Sequence, residues 1–152
     1  MATVVLAGGG TAGHIEPALA VAREWMKAHP TDTCIFLGTK SGLENTLVPA
    51  AGFQLHTIPK VKISRTPSAS WLRIPFDLIA SIASSITVVK TADVVIGFGG
   101  YVSAPAYLAA AITRTPIVIH EANAKPGWAN RVGAGFTQHL AVAHPVEQGS
   151  FR

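Results

Sequence analysis

The sequence predicts an α/β protein built on a Rossmann-like, doubly wound parallel sheet. Short apolar runs rich in β-branched residues alternate along the 152 residues with longer patterns typical of helices. This alternation is the order that strand–helix–strand crossovers produce. The runs at 94–96 and 117–119 are apolar at every position, which is typical of strands buried on both faces of a parallel sheet. The length suits a single domain with a full core.

The strands are predicted from apolar runs that are bounded by glycine, proline or polar residues. The first strand precedes a glycine-rich loop, and the second contains the lone cysteine, Cys34, which we interpret as a thiol of the core. The predicted strands cover residues 3–7, 33–37, 55–58, 94–98, 117–120 and 140–143.

The helices are predicted between and after these strands. The first is expected to open near Pro17, and the fourth at Ser103, whose hydroxyl can cap it with Pro105 in the first turn. We expect one domain over 1–143 and a domain edge or linker over 144–152, where apolar periodicity is missing. The predicted helices cover residues 17–28, 43–51, 70–91, 103–112 and 127–133.

The distribution of charge indicates a partner better than the net charge of +4 does. Four basic residues lie within fourteen positions, and such a cluster beside apolar side chains favours an anionic membrane surface. They are Lys60, Lys62, Arg65 and Arg73. No RNA-reading aromatic pattern or zinc-ligand spacing accompanies them, so nucleic acid is not expected as a partner. No run of about 18 uncharged apolar residues occurs, and we predict no transmembrane helix.

The first loop has the glycine spacing Gly8-x-Gly10-x-x-Gly13, which fits a dinucleotide-binding fingerprint. That fingerprint needs an acidic residue after the second strand, where residues 37–40 are Leu-Gly-Thr-Lys. NAD is therefore disfavoured, and only Lys40 would support NADP. The alternative is a plain turn whose glycines let the helix pack closely on the strand.

His14 closes this loop at the start of the predicted helix. The positive end of the helix dipole disfavours a protonated imidazole, so His14 is a candidate general base. The alternative is a histidine that caps its helix without taking part in chemistry.

Two later loops also follow strands, at the edge where such sheets bind ligands. Gly99 and Gly100 permit a left-handed turn or an anion-binding group of backbone N–H donors. The alternative is a helix start with nothing bound. After the fifth strand, residues 120–123 are His-Glu-Ala-Asn. This carboxylate and amide are placed to hold sugar hydroxyls, or only to cap the next helix.

Three segments together resemble a known family: 9–14 (Gly-Gly-Thr-Ala-Gly-His), 99–105 (Gly-Gly-Tyr-Val-Ser-Ala-Pro) and 120–123. In order and spacing they are similar to the N-terminal half of the lipid-linked N-acetylglucosaminyltransferases of peptidoglycan synthesis. The resemblance covers about residues 1–143. It departs from the family mildly, with alanine at 12 and 104 where the family often has glycine, and alanine at 122 where it often has glutamine.

The resemblance implies one half of a GT-B fold, in which two Rossmann-like domains enclose the active site. It implies inverting β-1,4 transfer of N-acetylglucosamine (GlcNAc) from UDP-GlcNAc to undecaprenyl-diphospho-muramoyl-pentapeptide, which converts lipid I to lipid II in cell-wall synthesis. It implies no metal and no cofactor. It also implies a peripheral enzyme on the cytoplasmic face of the bacterial plasma membrane, with roles in cell shape and division.

The resemblance also implies roles for particular residues. His14 matches the proposed general base, and the glycine loops approach a diphosphate. Thr11, Ala12, Gly13 and Asn123 match positions used toward the donor, and Tyr101, Glu121 and Asn130 match polar positions that line the cleft. The other substrate-binding positions carried over are Gly10, Gly99, Gly100 and Ser103. The donor-binding C-terminal half lies outside this sequence, so we expect these 152 residues alone to be inactive.

Residues 71–89 have two apolar stripes at helical spacing, one at 71, 74, 78, 82, 86 and 89 and the other at 72, 76, 79 and 83. One stripe suffices to pack on a sheet, so the second indicates shallow insertion among anionic lipids. The alternative is a fully buried helix. The residues predicted to face the membrane are Lys60, Lys62, Arg65, Trp71, Leu72 and Phe76.

Two further functions stay open from the sequence. The chain could be the membrane-anchoring subunit of a related transferase whose halves are separate chains. It could also be a nucleotide-binding or membrane-anchoring module without catalysis.

Overall fold

The computed structural model describes residues 1–61, 66, 68–147 and 149–151. Within them a single parallel sheet is formed by β1 (Thr3–Gly8), β2 (Thr33–Gly38), β3 (Gln54–Thr57), β4 (Val94–Gly99), β5 (Ile117–Glu121) and β6 (Leu140–Val142). The strand order is β3-β2-β1-β4-β5-β6. This order confirms the predicted doubly wound sheet.

The neighbours β1 and β4 mark the point where the order of the sheet reverses. Val4 and Val5 pair with Val94 and Val95, and the register shifts at the end of β1, where Gly8 pairs with Gly99. A reversal of this kind leaves a crevice outside the carboxyl ends of the two strands, and ligands bind there in open α/β sheets. The glycine-rich loop after β1 and the loop after β4, which contains Gly99 and Gly100, both lie at this crevice.

The helices lie close to their predicted bounds, with one clear exception. They are α1 (Ala12–Ala28), α2 (Glu44–Ala50), α3 (Ile74–Val89), α4 (Ser103–Thr113) and α5 (Trp128–Gly133). A 3₁₀ helix, Ala69–Arg73, precedes α3 and takes up the start of the helix predicted at 70–91.

The predicted start of α1 at Pro17 is wrong, since the helix begins five residues earlier at Ala12. Thr11 is extended, and its carbonyl accepts the N–H groups of His14 (3.1 Å) and Ile15 (3.2 Å), which closes the first turn. Pro17 lies inside the helix, where its missing N–H leaves the carbonyl of Gly13 without its usual partner. The glycine-rich loop is therefore shorter than its sequence suggests.

The core has one layer on each face of the sheet. Val4 and Leu6 of β1 pack against α1 and α2, while Val5 and Ala7 pack against α3 and α4. Cys34 is a buried free thiol of the first layer, as predicted, and burial raises its pKa.

Helix α3 crosses from β3 to β4 and packs on α4 with one face. That face is formed by Ser81, Ser85 and Val89, which are buried. Within the described residues, Ala69–Val89 is long and apolar enough to cross a membrane by length and composition. Because one face of this helix packs on α4 and its last residue, Val89, joins the core, we interpret it as lying along a surface.

The division at residue 143 stays a prediction. Strand β6 ends at Val142, and the segment after it has no strand or helix among its described residues. Phe151 nevertheless returns to pack against the core layer under α3 and α4.

Candidate active site

The two glycine-rich loops meet at the carboxyl ends of β1 and β4. Gly99 and Gly100 both have positive φ angles, +90° and +77°, which favour glycine. A Cβ atom on Gly100 would overlap the carbonyl oxygen of Gly9, so the two loops are in direct contact. Glycine at 100 is therefore required by both backbone conformation and space.

His14 lies against the second glycine loop. A Cβ on Gly99 would stand 3.2 Å from its Cδ2 and Nε2 atoms, and one on Gly100 would stand 3.0 Å from Nδ1. The Nδ1 atom is 3.0 Å from the hydroxyl oxygen of Thr11, and no side chain caps α1. With Nδ1 engaged by Thr11, Nε2 is the ring nitrogen presented for chemistry.

The residues around His14 are accessible. Gly10, Thr11, Ala12 and Gly13 are exposed and His14 is half-buried, so the start of α1 faces the crevice. Asn123, after β5, is exposed as well. These positions can contact a ligand directly.

Glu121 is buried at the end of β5, with 2% of its surface exposed. One oxygen accepts the backbone N–H and the side-chain amide of Asn123, both at 2.9 Å, and the other accepts Gly127 N–H at 3.0 Å and Asn130 Nδ2 at 2.8 Å. Burial raises the pKa of Glu121, but these hydrogen bonds outweigh it and leave the pKa below its usual value. The carboxylate holds the loop after β5 in shape.

Asn130 continues this network into the core. It is fully buried, its Oδ1 accepts the hydroxyl of Tyr107 at 2.7 Å, and its Nδ2 also donates to the carbonyl of His120 at 3.1 Å. Burial raises the pKa of Tyr107, which therefore remains a neutral donor. Both Glu121 and Asn130 are buried, and their polar atoms are hydrogen-bonded within the protein; their contact with a substrate stays a prediction. They shape the loops beside the cleft.

Ser103 also differs from its expected role. Its hydroxyl caps no N–H of α4. It accepts the N–H of Gly99 at 3.0 Å and lies within hydrogen-bond distance of the carbonyls of Ala7 (2.7 Å) and Gly99 (2.9 Å). Ser103 is buried and joins the end of β1 to the end of β4, so it positions the glycine loop and does not face a ligand.

Tyr101 connects the second glycine loop to the segment after β3. Its hydroxyl oxygen accepts Val61 N–H at 2.8 Å and lies 3.4 Å from the carbonyl of Pro59. A cavity of about 260 Å³ lies between Gly10, Tyr101 and the exposed Lys60. Of the predicted basic cluster, Lys60 and Arg73 are exposed, while Lys62 and Arg65 lie outside the described residues.

The sequence analysis missed Glu44, the acidic residue that lies closest to the first loop. Its carboxylate accepts the N–H of Gly10 at 3.1 Å, from a position 34 residues along the chain. Among the residues that the structure describes, no group of three or more His, Cys, Asp or Glu side chains could hold a metal ion.

The strand order and this crevice define the class of protein: a Rossmann-like, doubly wound α/β domain with a ligand crevice between β1 and β4. The family of the glycosyltransferase family 28 N-terminal domain matches residues 4–142, and the chain belongs to it.

Curated relatives share about half of their aligned residues with this chain. The UDP-N-acetylglucosamine--N-acetylmuramyl-(pentapeptide) pyrophosphoryl-undecaprenol N-acetylglucosamine transferase of Paenarthrobacter aurescens is 50% identical over 93% of this chain and 38% of its own length. The transferase of the same name from Frankia casuarinae is 51% identical over 94% of this chain and 39% of its own length. The chain spans about two fifths of these relatives.

Solved structures of glycosyltransferases have the same fold as this chain. Acinetobacter baumannii MurG superposes with a TM-score of 0.82 at 30% identity, over 95% of this chain and 42% of that chain. The Streptomyces sp. SF2575 glycosyltransferase SsfS6 has a TM-score of 0.62 at 13% identity, over 89% and 44%, and supports the fold alone. The predicted family and fold are confirmed.

Proposed function

We propose that this chain is the N-terminal, acceptor-binding half of an inverting glycosyltransferase. The enzyme would transfer GlcNAc from UDP-GlcNAc to undecaprenyl-diphospho-muramoyl-pentapeptide, converting lipid I to lipid II. The observation that carries the proposal is His14, which lies between two contacting glycine loops in the crevice between β1 and β4. The names and close similarity of the relatives support the choice of substrates.

In the proposed reaction, His14 acts as the general base. Its Nε2 takes the proton from the 4-hydroxyl of the muramoyl sugar while that oxygen attacks the anomeric carbon of GlcNAc. The bond from this carbon to UDP breaks, UDP leaves with the electron pair, and inversion gives the β-1,4 link. The contact from Thr11 to Nδ1 fixes the ring in the orientation that a base needs.

The exposed start of α1 suits the charged part of the substrates. Thr11, Ala12 and Gly13 are accessible at the N-terminal end of a 17-residue helix, where backbone N–H groups and the helix dipole favour phosphate. Asn123 adds an accessible amide in the loop after β5. We assign these four positions to the sugar nucleotide, with the rest of the donor held by the second half.

The experiment is substitution of His14 by alanine in the protein with both halves. We expect turnover to fall by about a hundredfold or more, since general-base catalysis contributes that much. The readout is transfer of labelled GlcNAc from UDP-GlcNAc to a lipid-linked acceptor. His139→Ala is the matched control, because His139 is exposed and precedes β6. It therefore lies at the amino ends of the strands, whereas His14 lies at their carboxyl ends. A loss below about tenfold for His14→Ala would refute its role as base.

We also propose that the chain contacts the cytoplasmic surface of the plasma membrane. Leu72 is 77% exposed, Phe76 73% and Ile79 64%, beside the 45% exposed Trp71. Arg73 is exposed between them and supplies positive charge. Large apolar side chains grouped with cations suit the boundary of an anionic bilayer, where the polyprenyl chain of the acceptor would stay.

A further inference from the structure

Glu44 is a buried carboxylate beneath the first glycine loop that the proposed reaction does not use. It is the first residue of α2, and only 1% of its surface is exposed. Three glycines enclose it: a Cβ on Gly9 would stand 3.0 Å from its Oε1, and a Cβ on Gly38 or Gly42 would overlap its side chain. The space for this carboxylate thus depends on the absence of three side chains.

The carboxylate joins two loops that follow neighbouring strands. Oε2 accepts the N–H of Gly10 at 3.1 Å, and Oε1 accepts the N–H and the hydroxyl of Thr39 at 2.8 and 3.0 Å. Burial raises the pKa of Glu44, but these hydrogen bonds outweigh it and leave the pKa below its ordinary value. Glu44 is therefore ionised at neutral pH, and both of its oxygens accept.

Gly10 has a φ of +87°, and its N–H points to Glu44. The residue after it, Thr11, accepts the first N–H bonds of α1 and holds Nδ1 of His14 through its hydroxyl. The direction in which the loop leaves Gly10 thus sets the position of the imidazole.

We propose that Glu44 is a positioning residue for His14: it fixes the first glycine loop from below, at Gly10, so that the imidazole lies against the second loop. This inference rests on the proposed function, since it assigns Glu44 to the same reaction. It also means that the Gly10 N–H serves an internal anion, leaving the exposed residues 11–13 to contact the phosphates of a substrate.

The test is Glu44→Gln in the protein with both halves. Glutamine keeps the size of the side chain but offers one oxygen, and the two donors of Thr39 are expected to retain it. The amide nitrogen then faces the Gly10 N–H, and that hydrogen bond is lost. We expect kcat to fall by about tenfold or more, with the KM for UDP-GlcNAc within about twofold of the original value. Glu16→Gln is the matched control, because Glu16 is an exposed carboxylate on α1.

Two readouts separate positioning from a general loss of structure. Amide hydrogen exchange over 8–14 should become faster in Glu44→Gln and stay unchanged in Glu16→Gln. In a His14→Ala background, Glu44→Gln should reduce kcat by less than about twofold further, because the two residues act through one group. Thr39→Val, which keeps the Gly10 hydrogen bond, should retain kcat within about threefold.

Unchanged exchange over 8–14, or a full additional loss in the His14→Ala background, would overturn the positioning role. If the unsubstituted protein transfers no GlcNAc to the lipid acceptor, the proposed function fails and this inference fails with it. Two results together support the positioning role: amide exchange over 8–14 becomes faster in Glu44→Gln, and Glu44→Gln reduces kcat only when His14 is present.

Discussion

Two buried carboxylates, Glu44 and Glu121, fix the loops on either side of His14. Both oxygens of each carboxylate accept hydrogen bonds: Glu44 from two backbone N–H groups and a threonine hydroxyl, and Glu121 from backbone N–H groups and two side-chain amides. These hydrogen bonds hold the pKa of each below its usual value against the opposing effect of burial. Ser103 adds a third connection, between the ends of β1 and β4. At the scale of residues, these hydrogen bonds connect the loops around the half-buried imidazole of His14.

The lowered pKa of Glu121 predicts how stability depends on pH. A carboxyl group whose pKa is lower in the folded state stabilises the protein above its unfolded pKa of about 4.3, and this contribution is lost as pH falls through the folded value. Glu121→Gln should therefore lower the free energy of unfolding by about 1–3 kcal/mol at pH 7, because a buried acceptor is replaced by a donor. The difference from the original protein should shrink below about pH 4. Urea unfolding between pH 3 and 7 measures both, and a constant difference across this range would contradict the assignment.

Gly100→Ala tests the contact between the glycine loops. The new Cβ would overlap the carbonyl of Gly9 and force an alanine to a φ of +77°. We expect a loss of about 3 kcal/mol in the free energy of unfolding, from steric overlap and backbone strain together. Gly127→Ala is the control, since a Cβ there meets nothing within 4 Å, and it should change stability by less than about 0.5 kcal/mol. Equal stability of the two variants, measured by urea unfolding, would show that the loops separate freely.

The residues of the site were predictable where they are contiguous in sequence. His14 and its glycines form one short motif, and so do Gly99 and Gly100, because loop chemistry is local. Glu44 was missed because its hydrogen bond to Gly10 joins residues 34 apart. The burial of Glu121 likewise depends on Asn130 and the core beneath it, which a polar residue at a strand end does not show.

At the scale of elements, α1 and α3 carry the two faces to which we assign substrate and membrane contact. Helix α1 begins at the crevice, directly after the first glycine loop. Its predicted start at Pro17 is wrong because proline, although common at the first helical position, lies inside this helix. The second apolar stripe was better predicted than the first: Trp71 of the first is 45% exposed, whereas positions 72, 76, 79 and 83 of the second are all exposed, from the 3₁₀ helix into α3. Its buried face was harder to predict, because it is centred on Ser81 and Ser85, which let α3 approach α4 closely.

The exposed face of α3 and the 3₁₀ helix before it give a test of membrane contact. Leu72→Ser together with Phe76→Ser removes two side chains that are at least 73% exposed, so the fold should not change. Flotation with vesicles that contain anionic phospholipid should then recover about tenfold less protein, because interfacial binding scales with buried apolar area.

Phe136→Ser is the matched control for flotation, since Phe136 is 49% exposed after α5 and away from α3. Recovery should stay unchanged in this variant and should fall for the original protein when the vesicles are neutral. Equal recovery of the original protein with and without anionic lipid would refute the membrane surface.

At the scale of the whole molecule, the doubly wound parallel sheet was predictable because alternating strands and helices permit few arrangements. Parallel neighbours need crossovers of one hand, and the apolar runs fixed which segments are strands. The crevice at the reversal between β1 and β4 follows from the same rule. The share of the relatives that the chain spans, about two fifths, leaves room for the second half that would hold the donor.

The most direct measurement is a crystal structure of the protein with both halves, bound to UDP and a soluble muramoyl diphosphate acceptor. Our account predicts that the 4-hydroxyl of the muramoyl sugar lies within about 3.2 Å of Nε2 of His14, the distance that proton transfer requires. The hydroxyl oxygen should face the β-phosphate of UDP across the space that the anomeric carbon would occupy, so that attack and departure are in line. An acceptor bound in the crevice with this hydroxyl held by another side chain, and His14 out of hydrogen-bond reach, would contradict it.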